Sequence, residues 1–120
     1  MAVPHKRLYE RLRVSPDELR HFCERSPIAE LAFFGSVLRE DFRSDSDIDI
    51  LVRLVPDDGM SLMDFVGLEY QFEALFQRKV DLVERKLVET DPNWIRRQEI
   101  LNHFQRMFEK SKVDYQFQIS

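Results

Sequence analysis

Three short apolar runs limit what this chain can fold into: "IAELAFF" at 28–34, "DIDILVRLV" at 47–55 and "KVDLVE" at 79–84. Each has the composition of a strand. Gly35 ends the first and "PDDG" closes the second. Helical patterns lie around them. Ser15, Pro16 and Glu18 spell a capping box ahead of a helix over 16–25, which Pro27 stops. From Ser61 to Gln77 the residues Phe65, Leu68, Phe72, Leu75 and Phe76 recur at helical spacing. Asp91 and Pro92 open a last helix, with Ile95, Leu101, Phe104 and Phe108 on its inner side and Arg96, Arg97, Arg106 and Lys110 on a solvated face. The order α-β-β-α-β-α predicts an α/β (α+β) domain, a small sheet covered by helices.

A chain of 120 residues fits one domain with a single core. Its net charge of −4 disfavours direct binding to nucleic-acid backbone. Cys23 is the single cysteine, so neither an internal disulfide nor a thiolate metal site is available. His5, His21 and His103 match no metal spacing. No apolar run approaches the roughly 18 residues of a membrane span. The start "MAVPHKRLYERLRV" lacks the apolar centre of a signal peptide, so a cytoplasmic protein is expected. Residues 1–14 form a basic extension, with Lys6, Arg7, Arg11 and Arg13 against Glu10, expected to be a solvated terminus rather than a partner contact or a helical extension. The tail 111–120 is left unassigned.

The chemistry concentrates in "FFGSVLREDFRSDSDIDILV", residues 33–52. Side chains two apart on a strand share a face, so Asp47 and Asp49 project together while Ile48, Ile50 and Val52 enter the core. Their Cα atoms would lie about 6.5–7 Å apart. That separation suits two carboxylates gripping a pair of cations roughly 3.5–4 Å apart. Oxygen donors select magnesium or manganese rather than zinc. A calcium loop fails: Ile50 stands where glycine is needed, and Pro56 where a bidentate glutamate is needed. Glu40, Asp41 and Asp45 are ordinary solvated turn residues, but Asp49 sits inside an apolar strand, where an unpaired carboxylate is costly. Gly35 and Ser36 follow the first strand and can bring backbone N–H groups and a hydroxyl to an anion. Arg39 can reach phosphate. An anion cradle beside a metal grip describes a nucleoside triphosphate site. Asp81, between Val80 and Leu82, is the candidate third carboxylate and proton acceptor, with Glu84 the fallback on the same face. Cys23 is expected in the core, and Trp94 is either core or an interface anchor.

This stretch resembles the signature of the DNA polymerase β-like nucleotidyltransferase superfamily: a hydrophobic residue, Gly-Ser, a gap of about ten, then Asp-x-Asp. The fuller wording, with Arg39 and "SDID", the preceding "SPDELRHFC" and the following "RKVDLVE", is similar to the minimal nucleotidyltransferases over about residues 15–110. The resemblance implies a mixed sheet flanked by helices. It implies that Gly35, Ser36, Arg39 and Ser46 bind nucleotide, and that Asp47, Asp49 and Asp81 are catalytic and hold magnesium or manganese, with ATP as substrate. Many such proteins are antitoxins of HEPN-domain ribonucleases, and some transfer AMP from ATP to a tyrosine of that toxin. A protein acceptor is expected, because no separate domain for a base, a sugar or an RNA primer is evident. The alternatives are a non-catalytic antitoxin of the same fold, neutralising by association, and a small-molecule nucleotidyltransferase.

Overall fold

Ser15 acts as its context requires: its hydroxyl accepts from the Glu18 N–H while the Glu18 carboxylate accepts from the Ser15 N–H, both at 3.1 Å. Such a reciprocal cap satisfies two orphan donors of a first turn. The computed structural model, which describes residues 3–56 and 59–111, continues that turn as a helix over Pro16–Glu24. It is preceded by another, so the two are α1 (His5–Leu12) and α2 (Pro16–Glu24). The basic extension is therefore not a solvated terminus. Leu8 and Leu12, one turn apart in α1, are fully buried in the main core. Four charges among eight residues obscured that pair in the sequence.

The strands β1 (Ile28–Phe34), β2 (Ile48–Leu54), β3 (Val80–Glu84) and β4 (Phe104–Glu109) form one sheet in the order β3-β2-β1-β4. β1 is antiparallel to β2 and to β4, while β2 and β3 run parallel. A parallel pair needs a crossover, and α3 (Leu62–Phe76) supplies it. Ser61 and Asp64 form a second capping box at its start. Two short helices, α4 (Arg85–Glu89) and α5 (Trp94–Asn102), lead from β3 to β4.

The sheet buries both faces. One face carries Ile28, Leu31, Phe33, Ile48, Ile50, Val52, Val80 and Leu82 against Leu8, Leu12, Leu19, Cys23, Leu68, Phe72 and Phe76 of α1, α2 and α3. The other carries a smaller cluster, Ala32 and Leu51, against Val88 of α4 and Ile100 of α5. On that second face Glu30 draws Arg53, Arg85 and Arg106 into ion pairs of 3.2–3.5 Å. The outer edge of β3 is closed by α3: Glu73 accepts from the Val80 N–H and Glu69 from the Leu82 N–H, both at 3.1 Å. These carboxylates occupy donors that would otherwise template a foreign strand.

The last helix ends at Asn102, and Phe104 and Phe108 lie on β4 rather than on its inner side. Their spacing of four matches a helix turn, but the backbone from Phe104 pairs with β1. Arg106 belongs to that strand too. Lys110 is buried rather than solvated, and its amino group donates to the Ser26 carbonyl at 2.9 Å. In the tail only Ser111 lies within the described residues.

Candidate functional site

Gly35 ends β1 and starts a 3-10 turn, Gly35–Leu38. Its φ of 75° is a conformation that side chains resist. A second reason for glycine is spatial. An added Cβ would overlap the Asp49 carboxylate, coming nearest its Oδ2 and lying 3.0 Å from its Cγ. The register explains this closeness, since Phe34 pairs with Asp49 across the antiparallel ladder. The Gly-Ser turn and the second aspartate of Asp-x-Asp are therefore in direct contact.

Parallel pairing then sets Asp49 opposite Asp81 on β3. Neighbouring strands lie about 4.8 Å apart, so two like charges face one another at close range. Leu51 and Val83, each two residues on, pack in the second cluster, which places both aspartates on that face. Asp49 is half-buried, and its pKa is pushed from 3.8 up to about 6, first by burial, then by the charges of Asp81 and Asp47, with Arg39 pulling the other way. Asp47 sits in the turn just before β2 and is exposed, as is Asp81. Glu84 falls on the opposite face, paired with Val52 of the main core, because three positions along a strand is an odd step. It is no substitute for Asp81.

The other predicted residues occupy the connection between β1 and β2. The Ser36 carbonyl accepts from the Arg39 N–H at 2.9 Å. Arg39 is exposed and pairs with Asp41 at 3.1 Å. The Ser46 hydroxyl accepts from the Arg43 N–H at 3.0 Å, so it stiffens the turn that delivers Asp47. Sequence reasoning missed the residues that hold this connection from outside. Arg11 of α1 donates through Nη1 to the carbonyls of Val37 and Arg39, both at 2.7 Å. Arg78, in the turn between α3 and β3, donates through Nη1 to the carbonyls of Arg43 at 2.6 Å and Ser46 at 2.9 Å. The Phe42 ring contacts both guanidinium groups, at 5.5 Å from Arg11 and 4.5 Å from Arg78. No local motif marks such long-range partners.

All the candidate metal donors are carboxylate oxygens, which suits a hard divalent cation. Among the described residues, no three His, Cys, Asp or Glu side chains are gathered into a metal-holding group. That arrangement is compatible with magnesium, which is commonly held by one or two carboxylates with waters and substrate phosphates completing its shell. Burial is the first cause of the raised pKa of Asp49, and the neighbouring charges of Asp81 and Asp47 add to it. A surface depression of about 580 Å³ lies between α1 and the start of α2. Asp47 and Asp81 are exposed on either side of the half-buried Asp49.

Residues 18–107 match the model of the nucleotidyltransferase domain. Over 60 residues the chain is 43% identical to protein adenylyltransferase MntA of Thermococcus cleftensis, a match spanning 50% of this chain and 59% of that relative. A solved structure described as a "putative minimal nucleotidyltransferase" shares 30% identity at a TM-score of 0.60, covering 85% of this chain and 97% of its own. A toxin–antitoxin crystal structure with AMP-PNP superposes at a TM-score of 0.62 over 88% of this chain and 82% of its own. At 17% identity, that likeness concerns the fold.

Proposed function

The chain belongs to the nucleotidyltransferase domain family, and from that premise we propose that it transfers AMP from ATP to a hydroxyl of a partner protein, as an antitoxin acting on a HEPN-type ribonuclease. One observation carries the reading: the Gly35–Ser36 turn is built against Asp49, and Asp49 is paired in register with Asp81. Anion cradle and carboxylate pair thus form one site. The adenylyltransferase name of the Thermococcus relative supports the reaction type. The toxin–antitoxin structure shows that the same fold occurs in an assembly with a toxin.

Each residue has a role in that reaction. The open backbone at Gly35, with the Ser36 N–H and hydroxyl, receives the triphosphate, and Arg39 adds a positive charge once it leaves Asp41. Asp49 and Asp81, paired in register, with Asp47 beside them, would hold magnesium or manganese with waters and substrate phosphates completing its shell, and the ion would offset the phosphate charge and lower the pKa of the attacking hydroxyl. The acceptor oxygen, most simply a tyrosine hydroxyl, attacks the α-phosphorus as the bond to pyrophosphate breaks. Asp81, exposed at the rim, takes the hydroxyl proton. A basic ribonuclease would suit a chain of net charge −4. An AMP adduct near its active site would put negative charge where RNA phosphate must sit.

The test is incubation with α-labelled ATP, magnesium and the candidate partner. Label should become covalently attached to the partner, and Asp49→Asn should abolish it. If the Asn variant leaves labelling intact, the carboxylate assignment fails. If it abolishes labelling yet still neutralises the partner fully at equal concentration, neutralisation is by association.

A further inference from the structure

We infer that Arg11 and Arg78 are positioning residues for the nucleotide: they fix the β1–β2 connection from behind, and helix α1 is thereby a working part of the site. The inference rests on the reading of that connection as the triphosphate cradle. Between Gly35 and Asp47 the chain has little regular structure beyond the single 3-10 turn. A surface connection of this kind would ordinarily be mobile. Here four of its carbonyls are claimed by two guanidinium groups, at 2.6–2.9 Å. Arg11 takes the Gly-Ser end, through Val37 and Arg39. Arg78 takes the Asp-x-Asp end, through Arg43 and Ser46. The Phe42 ring, midway along the connection, is in contact with both guanidinium groups.

The bonds are charge-assisted, roughly twice as strong as neutral ones. One bond of each arginine, to Val37 and to Ser46, is partly buried, where water competes less, while those to Arg39 and Arg43 are exposed. Arg7 adds an exposed ion pair from α1 to Glu40 in the same connection, at 3.2 Å, which contributes little. The remaining surface of the connection, carrying Gly35, Ser36 and Asp47, is left to the ligand. Displacing a positioned group by about 1 Å can lower a rate about 100-fold, so the two ends must be held together.

The experiment compares the full chain with Arg11→Met, Arg78→Met, the double variant and Arg11→Lys. Met keeps an apolar stem and removes the bonds. Magnesium ATP affinity is measured by calorimetry, and amide exchange is followed over residues 35–47 and over the sheet. Each Met variant should bind about tenfold more weakly. The double should lose less than the two singles combined, because both act on one segment. Arg11→Lys should restore part of the affinity. Exchange should rise in 35–47 while the sheet keeps its protection. Unchanged exchange in 35–47 would overturn the inference. So would an affinity loss accompanied by equal loss of protection across the sheet, which is the mark of a support for the whole fold. If the wild-type chain itself binds no magnesium ATP, the reading of the connection as the triphosphate cradle falls, and with it the arginines' role toward nucleotide, while the exchange data still decide whether they hold the connection.

Discussion

Gly35 is tied to its neighbours twice, by φ and by space. Gly35→Val should therefore weaken magnesium ATP binding and destabilise the chain by about 1–3 kcal/mol, through strain and through displacement of the Asp49 carboxylate. Calorimetry and urea unfolding on the same samples check both parts. Asp49 makes a second prediction. Its pKa in the fold, about 6, lies above the ordinary 3.8, so protonation stabilises the folded state. That contribution is fully present below about pH 3.8, declines as the pH rises through about 6, and is lost above it. In chelator-treated protein Asp49→Asn should gain on the wild type by on the order of 1 kcal/mol at pH 7.5, after allowance for solvent screening, and by less at pH 5. Equal differences at both pH values would show that Asp49 ionises normally. Gly35, Asp49 and Asp81 were legible because glycine after a strand and a carboxylate inside an apolar run each violate a local expectation. The face of Glu84 was legible too, in the parity of its position, but was assigned wrongly. Arg11 and Arg78 were illegible, since an arginine that binds a distant carbonyl has the same local surroundings as any surface arginine.

At the scale of elements, local signals succeeded wherever they were complete. β1 begins and ends where its composition changes, and the Ser15–Glu18 capping box forms as spelled. They failed where a tertiary partner decided. α1 is a helix because Leu8 and Leu12 reach the core, and β4 is a strand because β1 has a free edge. The burial of Leu12 gives a third prediction. Leu12→Ala should cost about 2–5 kcal/mol, as a core truncation does, whereas an alanine in a solvated extension would cost almost nothing. Urea unfolding distinguishes the two. Because α1 also carries Arg11, the same variant should loosen the β1–β2 connection, visible as faster amide exchange there.

For the whole molecule the decisive arrangement is the sheet order β3-β2-β1-β4. Nothing local encodes which strands become neighbours. The sequence supplied the strands, except β4, but not the order or the parallel pairing. That pairing has a kinetic consequence. The β1–β2 ladder joins near neighbours in the chain, whereas Asp49 and Asp81 meet only after the α3 crossover closes, roughly thirty residues of intervening chain. Contacts so distant in sequence tend to form late. Here the late step must also bring two like charges together. During refolding from urea, helical circular dichroism should therefore recover before nucleotide binding does, and Asp81→Asn should shorten the interval between the two. An unchanged interval would mean that the carboxylates meet before the slow step. With the expected lag, a newly made chain is a folded scaffold before its carboxylate pair is assembled, so its transfer activity begins only after that delay.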